Sequence, residues 1–498
     1  MAGGRHPMKA KYSVGFKSNG KITALHLDLG INAGISPDLS PVLPFAIIGA
    51  LKKYNWGSLE FDTKICKTNV SSKSAMRAPG DVQGSFIAEA IMEHVASALS
   101  VDTNTVRRKN LHDFESLVLF YGESAGEAST YSLVSMFDKL ALSPDYQLRA
   151  ATIEQFNRSN RWKKRGISCV PITYEVGLRP TPGKVSIMND GSIVVEVGGI
   201  EIGQGLWTKV KQMTAFGLGQ LCRDGGECLL DKRLGNHVPH STSETSCAAV
   251  GQSCAALVER LKPIKERLEA AKGNTLEWGD LIAQASMVNV NLSAHAYWTP
   301  DATFTSYLNY GAAISEVEVD VLTGATTILR SDLVYDCGQS LNPAVDLGQI
   351  EGSFVQGVGF FTNEEYTTNS DGLVIHDGTW TYEIPSGHHP KAVQRRDVQQ
   401  RSLSEARPVF KRGGRATAGS CMLGALRHVR RGEVPGERVR CRPNHSQSIG
   451  PEGMHQAAPG ALHANARDNA ITLPSSSSSC VLGRTSVYVG NLVILTGF

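Results

Sequence analysis

Three short segments of this 498-residue chain combine residue types and spacing that suit chemistry. The first, Gly198-Gly-Ile-Glu-Ile-Gly-Gln-Gly205, runs from a strand pattern into the helical pattern of Thr208 to Leu221. Glycines there let backbone approach an anion closely, and the unpaired N–H groups of a helix start favour negative charge. A dinucleotide site is disfavoured, because the spacing is not Gly-x-Gly-x-x-Gly and no acidic residue follows in a βαβ unit. An ordinary strand-to-helix turn would use the same glycines. The second segment is Ala75-Met-Arg77, set on a turn before Pro79-Gly80 and ahead of a helix starting near Gly84. An arginine buried there without a carboxylate would be costly, whereas a solvated one is commonplace. The third is Gln349 in Asp346-Leu-Gly-Gln-Ile-Glu-Gly352, unremarkable alone. No side-chain metal centre is expected. The ten cysteines include no Cys-x-x-Cys, and Cys222/Cys228 and Cys247/Cys254 have the wrong spacing for zinc or an iron–sulfur cluster.

Taken together, Val197–Leu206 and Ser74-Ala-Met-Arg-Ala-Pro-Gly-Asp-Val-Gln-Gly84 resemble the pterin-cradling loops of the molybdenum hydroxylases. From about residue 1 to 385 the chain is most similar to plant aldehyde oxidases. That resemblance implies a molybdenum–molybdopterin cofactor whose metal is held by the pterin dithiolene and by no protein side chain. It implies contacts to the cofactor from Ile202, Gly203 and Gln204, with the Gln204 amide near the molybdenum oxo group. It also implies Ala75, Met76 and Arg77 beside the pterin, and Gln349 reaching the phosphate side. The family oxidises aldehydes such as indole-3-acetaldehyde or abscisic aldehyde to acids. A glutamate serves there as base, a role typically contributing ~10²–10⁴-fold, and electrons leave through 2Fe-2S clusters and FAD. Family members are homodimeric. Purine-oxidising relatives of the xanthine dehydrogenase type carry an Arg near the position of Phe45. Pro44-Phe-Ala-Ile47 offers only apolar surface, so Phe45 is assigned to a substrate pocket for an aromatic or terpenoid aldehyde. A xanthine dehydrogenase fragment, or a non-catalytic fragment that dimerises with intact relatives, are the competing readings.

The chain departs from the family in three places. Members are far longer, with iron–sulfur and flavin domains upstream, so Met1 reads as an internal methionine. Between Lys232 and Thr242, Pro239 and His240 stand where a small-residue turn would cradle the cofactor, and both hinder close backbone approach. Third, the glutamate's Gly-Glu-Pro-Pro-Leu turn is absent, so no catalytic residue is assigned. In its place stand His389-Pro-Lys-Ala-Val-Gln-Arg-Arg-Asp-Val-Gln-Gln-Arg401 and Gly413-Gly-Arg-Ala-Thr-Ala-Gly-Ser-Cys-Met-Leu423. Back-translated and shifted by one base, these stretches read as Ile-Pro-Lys-Gln-Phe-Asn-Val-Glu-Met-Phe-Asn-Ser and as a text containing Ala-Gly-Glu-Pro-Pro-Leu. Two long matches at one offset indicate a one-base slip after about Pro385.

Composition agrees with that break. From Lys391 onward the chain has fourteen Arg and two Lys against six acidic residues, an excess of +10; the whole chain is +3, leaving −7 before it. A basic tail on an acidic body suggests nucleic acid or anionic membrane. Yet only one aromatic residue, Phe410, interleaves these arginines, where a single-strand groove requires several, and out-of-frame reading of a GC-rich gene produces Arg, Ala, Gly and Pro without selection. Residues 386–498 are therefore expected to be a disordered tail, with no nucleic-acid partner. No apolar run spans a bilayer and Met1-Ala-Gly-Gly-Arg-His-Pro7 lacks a signal-peptide core, so no membrane partner and a cytoplasmic location with reduced thiols are expected.

The elements that must position the three segments read as mixed α/β. Tyr12–Phe16 and Lys21–Leu29 flank Asn19-Gly20 as a hairpin with a type I′ turn, with Leu25, Leu27 and Leu29 on one face. Phe86, Ile87, Ala90, Ile91, His94 and Val95 fall at helical spacing. Further hairpins centre on Asp190-Gly191 and Thr323-Gly324. The expected fold class is α+β, a two-lobed molybdopterin-binding region. Residues 1–111 would form the end of one cofactor-binding domain, 112–160 a helical linker and 161–385 a second such domain.

Overall fold

The computed structural model describes residues 4–221, 230–232, 242–272, 276–302, 305–336, 338, 340–385, 393–398, 480–489 and 494–495. The first hairpin pairs β1 (Met8–Lys17) antiparallel to β2 (Ile22–Gly34). Alternation puts Ala10, Tyr12 and Val14 with Leu25, Leu27 and Leu29 on the buried face, each fully buried Leu contributing about 1.5–3 kcal/mol. The turn between them is not type I′. Of Asn19 and Gly20 only Gly20 has positive φ, at 86°, and its N–H donates to Lys17 O at 2.9 Å. A type I turn closed by a left-handed glycine needs one positive φ rather than two, and Asn19 is left to accept the Lys21 N–H at its side chain.

Helix α1 (Leu43–Leu51) crosses over to β3 (Ser58–Lys67), which joins β2 in parallel. Helix α2 (Asp81–Leu99) covers the sheet with the expected face: Phe86, Ile87, Ala90, Ile91 and Val95 are buried, and His94 Nδ1 bonds Tyr12 Oη. A Cβ on Gly84 would lie 2.8 Å from Ile47 O, so glycine is what lets α1 and α2 pack this closely. Helix α3 (Thr103–Asn110) begins where the Asp102 carboxylate accepts the Thr105 N–H. Helices α4 (Phe114–Tyr121), α5 (Leu133–Ala141) and α6 (Pro144–Ser159) follow, where a helical pattern is expected.

Beyond them lie β4 (Lys163–Gly177), β5 (Thr181–Ile187), β6 (Ile193–Val197), α7 (Leu206–Leu218), β7 (Leu230–Lys232), α8 (Thr242–Lys272), α9 (Trp278–Met287), β8 (Ser293–Trp298), β9 (Ser306–Asp320), β10 (Thr326–Asp336) and α10 (Pro343–Thr362). The tail region contributes β11 (Val393–Val398), β12 (Cys480–Val489) and β13 (Ile494–Leu495). Among the described residues three sheets result, in the orders β13-β12-β1-β2-β3, β11-β10-β9-β4 and β7-β6-β5-β8. Apart from β11 to β13, the tail expected to be disordered lies outside the described residues.

One core spans the first sheet, α2, α5 and the inner face of β4 and β9; a second fills the space between β5, β6, β8 and helices α7 to α9. The sheet of β4 and β9 is thus built against the first lobe. A buried charge cluster joins them. Arg107, fully buried on α3, donates from Nε to Glu89 (2.7 Å), from Nη2 to Glu93 (3.1 Å) and from Nη1 to Asn104 and to Ser168 Oγ on β4. Lys53 Nζ lies 2.6 Å from the other Glu89 oxygen, which also accepts the Tyr54 hydroxyl. Among the described residues no helix is long and apolar enough to cross a membrane.

Candidate cofactor site

The Gly-rich loop leaves β6 where Gly198 packs on Pro182 and enters α7 at Gly205, whose φ is 76°. The Glu201 carboxylate organises it: Oε1 accepts the N–H of Gly203 (2.8 Å) and Gly205 (3.0 Å), and Oε2 accepts the Trp207 N–H (3.0 Å). These are donors that the sequence left free for an external anion. The physical expectation is corrected here, because an internal carboxylate already occupies that end of the helix. The Gln204 side chain is buried and closes the same loop, accepting from Ile202 N and donating to Ile200 O, both at 2.6 Å. No local capping rule points to Glu201, which lies five residues ahead of Leu206, outside the N-cap and N3 positions from which side chains usually cap a helix.

What seats the loop is the start of α10. Asn342 caps that helix by accepting the Val345 N–H at 3.0 Å and reaches Gln212 Oε1 on α7. A Cβ on Gly205 would meet Val345 Cγ1 at 2.5 Å, so the two elements touch through a glycine. Beneath them Lys209 Nζ pairs with Asp346 Oδ1 at 2.6 Å, both side chains buried. This docking carries Gln349 to the loop, where its Nε2 donates to Gly203 O at 2.9 Å.

From the other lobe Arg77 meets the same glutamine. Its Nη2 donates to Gln349 O at 2.7 Å and to Oε1 at 3.2 Å, and Gly352, one turn along α10, leaves room for Nη1. Arg77, Gln349 and Gly203, 272 and 146 residues apart in pairs, therefore form one chain of hydrogen bonds. Met76 and Arg77 also line a cavity of about 400 Å³, while Ala75 is exposed beside them. Ile202 is 59% exposed, and Gly203 has open space where a side chain would be.

Phe45 is not drawn into this group. It projects from α1, 76% exposed, on the helix that packs against Gly80, and it does not line the cavity. Lys73, buried ahead of the Arg77 turn, lies 4.5 Å from the Tyr366 ring centroid, and burial pushes its amine down to about 8. Among the described residues one group of possible metal-ligating side chains, His26, Glu60 and Asp62, is found on β2 and β3. The rebuilt 232–242 stretch, except its bounding element ends, and the positions of the missing glutamate turn lie outside the described residues.

The site's residues fit a pterin cofactor at the edge where Arg77 offers a cation, Gln349 an amide and Gly203 a side-chain-free approach. Comparison with known proteins agrees with that fit. Family models described as molybdopterin cofactor-binding domains match residues 1–111 and 139–389. An indole-3-acetaldehyde oxidase of Zea mays is 83% identical over 398 residues, covering 78% of this chain and 29% of that protein. Probable aldehyde oxidase 2 of Oryza sativa subsp. japonica is 78% identical and the abscisic-aldehyde oxidase of Arabidopsis thaliana 55%, each over 398 residues and 78% of this chain, covering 29% and 30% of those proteins. The chain thus spans under a third of their length. Among solved structures, the aldehyde oxidoreductase of Desulfovibrio desulfuricans has a TM-score of 0.70 at 22% identity, covering 85% of this chain and 47% of that one. Quinoline 2-oxidoreductase of Pseudomonas putida has a TM-score of 0.66 at 19% identity, covering 85% and 59%. Both share the fold. With two matching domains flanking the Arg77–Gln349–Gly203 contact, the chain belongs to the molybdopterin cofactor-binding domain family, in the form found in plant aldehyde oxidases.

Proposed function

We propose that this chain is the cofactor-holding portion of an aldehyde oxidase and does not itself turn over aldehydes. The observation that carries the reading is the hydrogen-bonded contact of Arg77, Gln349 and Gly203, which brings both cofactor-binding segments to one place. In this reading residues 1–111 and 161–385 are the two cofactor-binding domains and 112–160 links them. The Ala75–Arg77 turn holds the pterin from one side and Ile202, Gly203 and Gln204 from the other, with Gln349 toward its phosphate. When bound, the cofactor supplies a molybdenum centre for oxidising an aldehyde to a carboxylic acid. The chain's own residues orient it: Glu201 keeps the loop closed, Lys209 and Asp346 keep α7 on α10, and Phe45 offers apolar surface to the aldehyde. Homodimerism and a cytoplasmic location belong to the same proposal.

Two features support catalytic silence. The Gly-Glu-Pro-Pro-Leu turn is missing from the sequence, and the family match ends at residue 389, beside the inferred slip. The test is to express the chain with the cofactor supplied, measure molybdenum by elemental analysis and assay indole-3-acetaldehyde. Bound molybdenum that falls at least tenfold in Arg77→Met, without steady acid formation, is the expected result. Steady turnover would overturn the silence, and a molybdenum content indifferent to Arg77→Met would overturn the assigned site.

A further inference from the structure

The solvent face of the first sheet carries a mixed set of nitrogen and oxygen donors. Alternation along β2 buries Leu25 and Leu27 and turns His26, between them, to the outer face. In the parallel register of β2 and β3, His26 stands opposite Glu60 and Asp28 opposite Asp62. Three of these side chains converge. One donor atom each from His26, Glu60 and Asp62 lies within 4.8 Å of the other two, and His26 Nε2 is 3.3 Å from Asp62 Oδ2. The His26 side chain is 44% exposed and that of Asp62 64%, so a solute reaches the donors directly.

The charges on this face define the ligand. From β1, Lys11 stands opposite Asp28 and the neutral Ser13 opposite His26. Lys64, next along the outer face of β3, stands opposite Gly30, and among the described residues it is ion-paired to neither Glu60 nor Asp62. With Asp28 set against Lys11, the trio with a neutral imidazole carries two negative charges, which matches one divalent cation. The imidazole decides which kind. Zn²⁺ and similar first-row ions accept nitrogen together with oxygen, whereas Mg²⁺ and Ca²⁺ take oxygen ligands. Ligand atoms around a tetrahedral zinc stand about 3.4 Å apart. His26 and Asp62 already have that spacing, and Glu60 reaches it by rotating an exposed side chain through about 1 Å. A metal there also has a structural use. Among the described residues β3 is the last strand of its sheet, held by β2 alone; none of its ten residues is buried, and only Leu59 and Phe61 pack partly against the core. Such an edge has little besides its ladder to keep it in place. We propose that His26, Glu60 and Asp62 form a binding site for Zn²⁺ or a similar first-row divalent cation, which fastens the edge strand β3 to β2. None of the three is assigned to the pterin cofactor, so the site stands apart from the functional reading above.

The experiment titrates the purified, chelator-treated full chain with Zn²⁺ by calorimetry and with Co²⁺ by absorption, near neutral pH. Zn²⁺ should bind, and excess Mg²⁺ should not displace it. Bound Co²⁺ should show weak d–d bands without thiolate-to-metal charge transfer, which separates this site from the chain's cysteines. His26→Ala should weaken Zn²⁺ at least tenfold, as should Glu60→Gln and Asp62→Asn, while Cys66→Ser, exposed further along β3, should leave it unchanged. Hydrogen exchange of the Ser58–Lys67 amides should slow at least threefold with Zn²⁺ in the parent and not in His26→Ala. Should His26→Ala fail to fold, Asp62→Asn carries the same comparison. Absence of zinc binding, affinity unchanged in these ligand variants, displacement by Mg²⁺, a thiolate band, or β3 exchange indifferent to Zn²⁺ would each overturn the proposal. Failure of molybdenum loading would leave this titration intact, so the two readings fail separately.

Discussion

Two buried guanidiniums in the same lobe have opposite surroundings. Arg107 is enclosed by Glu89, Glu93, Asn104 and Ser168, and Glu89 with its neighbours holds its guanidinium above the ordinary value in spite of burial. Arg5 has idle donors and a carboxylate, Glu364, that does not pair with it directly, and burial pulls it down to about 10. The difference separates a guanidinium bonded from every nitrogen from one with two nitrogens left unmet. A buried charge with partners on three elements is compensated, whereas one with unmet donors carries its desolvation cost.

The largest expected effect comes from breaking the finished cluster. Arg107→Met strands Glu89 and Glu93 beside Lys53, and should cost about 3–5 kcal/mol in urea unfolding. Glu89→Gln is milder, on the order of 2 kcal/mol, and it carries a pH signature. Lys53 and Arg107 hold the Glu89 carboxyl below its ordinary 4.5 in the folded state, overcoming burial, which acts the other way. The unfolded chain therefore takes up the proton first as pH falls. The cluster's contribution is present above 4.5 and is lost as pH drops through the folded value. Unfolding midpoints measured from pH 7 downward should fall in the parent below about 4.5, with a shallower fall in Glu89→Gln.

The Gly-rich loop repeats the contrast within three residues. Gly205 is packed against Val345 at a φ of 76°, while Gly203, at 95°, faces open space. Gly205→Ala should cost about 2 kcal/mol through clash and strain combined, and Gly203→Ala about 1 kcal/mol through strain alone. Thermal unfolding of the two variants reads the difference directly. Equal losses would mean that α7 and α10 do not meet as closely as Gly205 and Val345 indicate.

Smallest is the effect of removing the poorly satisfied charge. Arg5→Met replaces a poorly satisfied charge with an apolar side chain of similar reach, and should change stability by less than about 1 kcal/mol, in the stabilising direction. A loss as large as that of Arg107→Met would erase the distinction between the two arginines.

Much of the site's local shape was legible without coordinates. The glycines of the loop, the turn before Pro79, the helical face of Phe86 to Val95 and the strand face of Leu25 to Leu29 all follow from periods and turn chemistry spanning a few residues. Even so, local reading missed where a local charge went. It treated the start of α7 as open to an anion, although Glu201, inside the quoted loop, closes it.

The sequence by itself determined the first strand pair, the helical face of Phe86 to Val95, the glycine-rich loop and the break in composition near residue 390, because each is encoded in neighbours along the chain. Only the tertiary structure decided that Arg77 meets Gln349 across 272 residues, that the buried Arg107 finds partners, and that two nitrogens of Arg5 do not. Those outcomes depend on which sheets pair and which helices cover them. A side chain's burial, and hence its charge energetics, is set by atoms that the chain brings near only after β2 has joined β3 and β4 has joined β9.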